Sequence, residues 1–373
     1  MNPAREEAEL QALEERARSA GEGGDPAAAR DGYAALVPLY ERVLGPEHPD
    51  TLVIRRKLAY WMGLAGDPAA ARDQLAALVP AYARVLGPEH PDSLAIRRNL
   101  AHWTGQAGDL AASRDGYAAL VPVYERVLGP EHPDTLVIRR NLAYRTAQAG
   151  DPAAARDQLA ALVPVRERVL GPEHPDTLET RAGLVLHTGQ VGEPTAARDG
   201  YAALVPVYER VLGPEHPDTL AIRRNLADWT GRAWEASPRD RTGAVDAPAS
   251  ARDQLAALVP VYERVLGPKH RDTLETRANL AYWTGQAGEV ARARDQLAAL
   301  LPVYERALGP ESWDTLELRA NLANLVGEMG DAARAREEYA ALLPFYERAL
   351  GPQHPDTQAV SRNLARWTIR SGQ

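Results

Sequence analysis

The sequence has no cysteine and very little lysine, and both shortages limit its chemistry. Without cysteine, the 373-residue chain forms no disulfide bond and offers no thiolate for metal or redox chemistry. Only Lys57 and Lys269 are lysines, so arginine supplies nearly all of the positive charge. A net charge of −8 argues against a general nucleic-acid surface, because such surfaces are usually strongly basic. With the heavy use of Ala, Gly and Pro, this arginine bias is typical of a GC-rich bacterial genome.

Long apolar runs and catalytic signatures are also missing. No segment has the pattern of a signal peptide or of a membrane-spanning helix, which predicts a cytoplasmic protein without a membrane partner. No phosphate-binding glycine loop, nucleophile elbow or His-Glu-x-x-His pattern occurs. We therefore expect no enzymatic activity, no cofactor and no metal site. The average apolar content predicts an ordered, soluble chain.

One phrase, Leu-Gly-Pro-Glu-His-Pro-Asp-Thr-Leu, recurs eight times with small changes. Its glycines are Gly45, Gly87, Gly129, Gly171, Gly213, Gly267, Gly309 and Gly351. Six of the seven spacings are 42 residues and one is 54. A fixed period of this size is typical of stacked-repeat proteins, in which each unit contacts its neighbours. Such proteins usually act through an extended surface instead of a buried active site.

Each repeat unit predicts two helices. In the third unit, Pro133 opens the first helix, since its missing N–H is not needed in the first turn. Gly150 ends that helix in a left-handed cap, and Pro152 opens the second helix. Pro164 lies inside the second helix, and a proline recurs there in every unit. An interior proline predicts a kink that the stacking accommodates.

Three features of the unit recur along essentially the whole chain. The first helix carries Asn-Leu-Ala, as at Asn141, and ends in an Ala-Gly turn, as at Ala149. The Leu-Gly-Pro-Glu-His-Pro-Asp linker follows each second helix. This pattern resembles the tetratricopeptide repeat, in the 42-residue form of kinesin light chains and of many actinobacterial regulatory proteins. One departure is an arginine four residues before the Ala, as at Arg139, where the family usually has a large apolar residue.

The resemblance implies an all-α fold, an α-solenoid forming a right-handed superhelix of about eight helix pairs plus a terminal capping helix. We expect an N-terminal capping helix in residues 1–24, a repeat array in residues 25–354 and a C-terminal capping helix in residues 355–373. These segments together predict 17 helices. The unusual spacing predicts a 12-residue insertion within about residues 232–248, either a tolerated surface loop or a contact loop anchored by Trp234.

The first helix of each pair lines the concave groove in this family. The resemblance therefore implies that three positions face the groove: the residue before the Asn, the Asn position itself, and the residue three beyond it. The third position varies most along the chain, as expected where a partner is selected. The candidate peptide-binding residues are Arg56, Tyr60, Arg98, Asn99, His102, Arg140, Asn141, Tyr144, Arg224, Asn225, Asn279 and Tyr282.

The chemistry of these residues suits a peptide. Asn offers both a hydrogen-bond donor and an acceptor to an extended backbone. Arg binds carboxylates through two parallel hydrogen bonds. Tyr adds a rigid aromatic contact surface with a polar hydroxyl at its end. The first three repeats are basic at these groove positions, which predicts that an acidic or C-terminal segment docks there. The alternative is that the Asn and Arg side chains bond to neighbouring helices. A tryptophan four residues after the Asn position is interpreted as packing between repeats, with an aromatic groove wall as the alternative.

We therefore predict a non-enzymatic protein–protein interaction scaffold that binds a peptide or protein segment in its groove. Its setting would be a sensor or adaptor for a signalling NTPase system. One alternative is a homo-oligomer assembled head to tail, through an acidic N-terminal end and a basic C-terminal end carrying Arg362 and Arg370. The other alternative is a small-ligand sensor. The repeated His-Pro-Asp is interpreted as linker structure, not as a metal site.

Overall fold

In the computed structural model, residues 3–236 and 247–372 are described, and they form 17 α-helices. The first eight are α1 (Pro3–Glu22), α2 (Pro26–Leu44), α3 (Pro49–Leu64), α4 (Pro68–Leu86), α5 (Pro91–Gln106), α6 (Leu110–Val127), α7 (Pro133–Gln148) and α8 (Pro152–Leu170). The others are α9 (Pro175–Gln190), α10 (Pro194–Leu212), α11 (Pro217–Glu235), α12 (Ala247–Val265), α13 (Arg271–Gln286), α14 (Val290–Leu308), α15 (Trp313–Glu328), α16 (Ala332–Leu350) and α17 (Pro355–Ser371). The predicted all-α class and helix number are confirmed. Most of the predicted insertion lies outside the described residues.

The chain forms two compact units, Met1–Thr180 and Arg181–Gln373, whose boundary falls inside α9. In the first unit, each helix from α1 to α8 packs against the next one along the chain. The same holds from α10 to α17 in the second unit, where α11, α13, α15 and α17 also touch in succession. Packing between chain neighbours is the arrangement of an α-solenoid.

The His-Pro-Asp of each linker begins the first helix of the next pair. The Nδ1 atom of His48 accepts a hydrogen bond from the backbone N–H of Asp50 at 3.2 Å, and Pro49 occupies the first turn. The same bond forms at seven of the eight linkers. In the remaining linker, Ser312 Oγ accepts instead from the N–H of Thr315 at 3.3 Å. These histidines therefore cap helices, which confirms the interpretation as linker structure.

The interior prolines lie on the exposed side of the second helices. Helix α8 continues through Pro164 without a break. Ala160, whose carbonyl loses its hydrogen bond because proline has no N–H, is also exposed. An exposed residue can bond to solvent in place of the missing N–H, which explains how the helix tolerates the proline. The kink itself stays a prediction.

Candidate functional site

The twelve candidate residues lie on five first helices. Helices α3, α5 and α7 carry those of the first unit, and helices α11 and α13 carry those of the second. On each helix the candidates are one to four residues apart and share one face. Tyr60, Tyr144 and Tyr282 are the most exposed of them, at 46%, 56% and 37%. We call this set of positions the first-helix line.

Three of the four candidate arginines already have partners within the chain. Arg56 lies 3.7 Å from the carboxylate of Asp92, and Arg140 pairs with Glu179. Arg224 is almost buried and lies 3.0 Å from Glu275. Each pair joins one first helix to the next. These arginines therefore help to hold successive repeats together.

Arg98 is the exception. Within residues 3–236 and 247–372 it forms no ion pair or hydrogen bond. The position on α7 that would supply a glutamate, as Glu179 does for Arg140, is Val137. Arg98 is consequently the candidate arginine whose guanidinium remains available to a partner.

The asparagines fall into two groups. The Asn225 side chain donates to the hydroxyl of Tyr201 at 3.4 Å. Burial raises the pKa of Tyr117, and a hydrogen bond from Asn141 opposes that shift. By contrast, the side chains of Asn99 and Asn279 make no hydrogen bond to any part of the chain that the structure describes. The line therefore carries both engaged and free asparagines.

A difference between second helices explains why some asparagines are engaged and others are free. Helices α6 and α10, which precede Asn141 and Asn225, carry a tyrosine facing the asparagine. Helices α4 and α12, which precede Asn99 and Asn279, carry Leu75 and Leu255 at the same position. A leucine offers no polar group, so the following asparagine keeps its donor and acceptor. The Asp-Gly-Tyr and Asp-Gln-Leu sequences were the signal for this difference.

The repeated tryptophans pack between successive first helices. Trp103 and Trp283 are 6% and 0% exposed, and their six-membered rings lie directly against Gly63 and Gly231 of the preceding first helix. Trp283 also donates from Nε1 to Asp228 at 2.9 Å. The packing interpretation is confirmed, and an aromatic groove wall is not what these residues form. The exposed Tyr60 and Tyr282 instead lie edge-on against them.

Arg145 stands where other repeats have this tryptophan. It is a site residue that the sequence alone did not single out. It is 4% exposed, yet none of the described carboxylates pairs with it. Its Nη1 donates to Gln148 Oε1 at 2.7 Å, and its Nη2 lies 3.4 Å from Nδ1 of His102. We call Arg98, Asn99, His102 and Arg145 the Arg98 cluster. Its signal in the sequence was an arginine in the tryptophan column.

The Arg98 cluster is electropositive. Burial lowers the pKa of His102, and the charges of Arg145 and Arg98 lower it further. His102 is therefore neutral at pH 7 and offers a ring nitrogen as an acceptor to Arg145. The first-helix line of the second unit also has carboxylates beside it. Asp228 accepts a hydrogen bond from Arg232 at 2.6 Å, and the hydroxyl of Tyr282 lies 3.5 Å from Glu235.

The arginine four residues before the Ala pairs with a neighbouring helix in the second unit. Arg277 pairs with Glu263 of α12, and Arg319 lies 2.9 Å from Glu338 of α16. A charged residue thus replaces the family's apolar residue because it finds a carboxylate on an adjacent second helix. The role of this arginine is structural at these positions.

Two sequence models described as tetratricopeptide repeat match the chain. One matches residues 9–84 and 92–167, and the other matches residues 273–314 and 315–356, together more than half of the sequence. The chain belongs to the tetratricopeptide repeat family. No curated protein is similar enough to the chain to match it.

Solved structures show the same fold as this tetratricopeptide repeat protein. A putative kinesin light chain with nearly identical repeats from Podosopora anserina is 24% identical, with a TM-score of 0.51, over 57% of this chain and 99% of that one. A tetratricopeptide repeat protein from Parabacteroides merdae is 15% identical, with a TM-score of 0.55, over 85% and 98%. A Rap protein complexed with Competence and Sporulation Factor is 9% identical, with a TM-score of 0.52, over 97% and 98%. At these identities the likeness concerns the fold alone.

None of the helices described for this repeat protein is long and apolar enough to cross a bilayer. The face that carries the first-helix line presents Arg98 and Asn99, which have no partner among the described residues, and the exposed side chains of Tyr60 and Tyr144. In the first unit that face is basic around the Arg98 cluster.

Proposed function

We propose that this tetratricopeptide repeat protein is a non-enzymatic scaffold that binds a peptide or protein segment along its first-helix line. The observation that carries the proposal is the pair Arg98 and Asn99. These adjacent side chains have no partner within the described chain, whereas the equivalent Arg140 and Arg224 form ion pairs. Polar side chains left free on a fixed helical frame are suited to bind another chain.

The Arg98 cluster favours an acidic segment. A guanidinium forks onto a carboxylate with two parallel hydrogen bonds, and Asn99 offers an amide to a peptide backbone beside it. Arg145 adds a second positive charge to the cluster. This charge is not neutralised, because the hydrogen bonds of Arg145 go to neutral groups. Neighbouring Tyr60 and Tyr144 supply exposed aromatic area on the flanking first helices.

Two further observations support a binding role. A solved neighbour of this fold holds Competence and Sporulation Factor, so the architecture is compatible with a bound partner. The resemblance to actinobacterial regulatory proteins suggests a sensor or adaptor for a signalling NTPase system as the setting. The adaptor role is an extension of the proposal and depends on the binding role.

The experiment screens immobilised ten-residue peptides that carry Asp or Glu, with free or amidated C-termini, against matched peptides carrying Asn or Gln. The full-length protein is compared with the double variant Arg98→Ala/Asn99→Ala. Arg97→Ala is the matched control, because it removes the same charge from the adjacent residue of α5. We expect the acidic peptides to bind the wild type and Arg97→Ala, and to bind the double variant about tenfold or more weakly.

Two results would contradict the proposal. One is equal binding of acidic peptides by the wild type and the double variant. The other is the absence of any acidic binder from a folded protein. Light scattering on the same samples reports the mass, and large species that form as concentration rises would favour the head-to-tail assembly instead.

A further inference from the structure

Two of the ion pairs between successive first helices follow one register. The guanidinium of Arg224 on α11 lies 3.0 Å from the carboxylate of Glu275 on α13. Arg140 on α7 pairs with Glu179 at the corresponding positions. In both pairs the arginine is the residue before the Asn position, and the glutamate lies three residues after the Asp of His-Pro-Asp or its equivalent.

Helix α15 carries the same glutamate, Glu317, but its arginine is missing. The corresponding residue on α13 is Ala278. Within the parts of the chain that the structure describes, Glu317 makes neither an ion pair nor a hydrogen bond. The nearby Asp314 is already occupied, since Arg271 donates to it at 2.7 and 3.0 Å. The step from α13 to α15 thus has the acceptor of the repeated ion pair but not its donor.

A second polar group without a partner among the described residues lies near these carboxylates. Tyr304 is 3% exposed, and its hydroxyl forms no hydrogen bond with the described residues. Burial raises its pKa, and the charges of Asp314, Glu275 and Glu317 raise it further, which places the hydroxyl near these carboxylates. This hydroxyl therefore keeps its donor and its acceptor for a group that arrives from outside.

An exposed aromatic ring lies on the same helix as Glu317. Trp313 lies one helical turn before Glu317 on α15 and is 36% exposed. Its ring packs against Tyr346 with the ring centres 4.7 Å apart, which holds it in place. An exposed indole beside a carboxylate suits a planar cation, because a guanidinium stacks on an aromatic face while its N–H groups donate at its edge.

The electrostatics of Glu317 also favour a cation. The side chain is open to solvent, yet neighbouring side chains surround it closely enough to reduce its hydration. This loss of hydration raises its pKa, and the charges of Asp314, Glu275 and Asp356 raise it further. A positive group placed beside it would relieve this repulsion.

We propose that Ala278, Tyr304, Trp313 and Glu317 form a receptor, the Glu317 notch, for an arginine side chain of a bound peptide. The guanidinium would occupy the place that the Arg224 guanidinium takes one repeat earlier, donating to Glu317 and to the Tyr304 hydroxyl and stacking on Trp313. Arginine is favoured over lysine because two other steps of the array use arginine. This inference rests on the proposed function, because the arginine that occupies the Glu317 notch belongs to a bound peptide.

The test uses two synthetic probes on the full-length protein, Ac-Gly-Ala-Arg-Ala-Gly-NH2 and the same peptide with neutral citrulline in place of arginine. Carboxylate NMR signals of ¹³C-labelled glutamate report binding, and Glu317→Gln assigns the signal of interest. We expect the arginine probe to shift the Glu317 signal and to lower the pKa of that carboxyl, and we expect the citrulline probe to do neither. Equal binding of both probes would overturn the proposal.

Two variants test the register directly. Ala278→Arg supplies the missing arginine from within the chain, so we expect it to block the notch and weaken the arginine probe about tenfold or more. Arg224→Ala removes the arginine of the previous step, so we expect a second arginine-binding position to appear at Glu275. If Ala278→Arg binds the probe as tightly as the wild type, the notch is not the site.

Folding is controlled by Glu317→Gln, which removes a repelled charge and is expected to leave the melting temperature unchanged or raised. A loss of probe binding in this variant therefore does not arise from unfolding. The double variant Arg98→Ala/Asn99→Ala should bind the arginine probe normally. If the arginine probe fails while acidic peptides still bind the Arg98 cluster, this inference falls and the proposed function stands.

Discussion

The indole ring of Trp103 lies against Gly63 on the preceding first helix, in the volume that a side chain at Gly63 would occupy. The same contact joins Trp229 to Gly189 and Trp283 to Gly231. A glycine on one repeat therefore sets the distance at which the next repeat stacks. This close approach requires the absence of a Cβ, not an unusual backbone conformation.

Gly63→Ala should therefore destabilise the protein, although Gly→Ala inside a helix normally stabilises by about 1 kcal/mol. The added methyl overlaps the Trp103 ring, and overpacking of this kind costs about 1–3 kcal/mol. Gly285→Ala is the matched control, because its nearest side-chain atoms, on Ala293 and Leu325, would lie at 3.4 and 3.5 Å. Urea unfolding followed by circular dichroism measures both. Equal effects at Gly63 and Gly285 would contradict the stacking role.

The fold followed from the sequence because the period and the cap residues repeat. Positive φ at Gly150, predicted as a left-handed cap, is observed at +97°. The partners of individual side chains did not follow, because they depend on which residue a neighbouring repeat places opposite. Arg98 and Arg140 look equivalent along the chain, yet the residue 39 positions further on is Val137 for Arg98 and Glu179 for Arg140.

Arg166 is a buried departure from the repeat. It is 1% exposed and occupies a position that is tyrosine in the other seven units. Among the described residues, its guanidinium donates only to neutral groups, including Thr180 Oγ1 at 2.8 Å and the carbonyl of Leu136 at 3.3 Å, and its Nε has no hydrogen-bond partner. Burial lowers the pKa of Arg166, as expected of a cation with incomplete compensation.

We therefore expect Arg166→Tyr to raise the free energy of unfolding by roughly 1 kcal/mol or more, because it removes an incompletely compensated charge from the interior. Arg166→Ala should do the opposite, since it leaves a cavity and unpaired carbonyls. Denaturant unfolding of both variants provides the comparison. A stability loss in Arg166→Tyr would show that the arginine hydrogen bonds outweigh the cost of burying the charge.

His102 should make stability depend on pH. Its pKa is lowered in the folded state, so the unfolded chain binds the proton first as the pH falls below roughly 6.5. The contribution of the neutral ring is therefore complete above that pH and is lost progressively toward acid. We expect His102→Gln to flatten the pH dependence of the unfolding free energy below roughly pH 6.5. An unchanged slope, or an NMR titration of His102 above its ordinary range, would contradict this.

The occurrence of tyrosine or leucine in the second helices predicts how the Asn99 side chain can be given a hydrogen-bond partner by a substitution at another residue. Leu75→Tyr should place a hydroxyl opposite Asn99, as Tyr201 does for Asn225 at 3.4 Å. The substitution fits the array, since tyrosine fills this position in α2, α6, α10 and α16. With Asn99 engaged and Arg98 unchanged, acidic peptides should bind about three- to tenfold more weakly, the effect of losing roughly one hydrogen bond.

Leu255→Tyr is the control for this swap, because it makes the same change before Asn279 in the second unit. It should leave acidic-peptide binding at the Arg98 cluster unaffected. Fluorescence anisotropy with a labelled acidic peptide compares the two variants at equal protein concentration. If both variants weaken binding alike, the loss reflects the added tyrosine itself and not the state of Asn99. If neither does, Asn99 does not contact the peptide, and Arg98 alone carries the recognition.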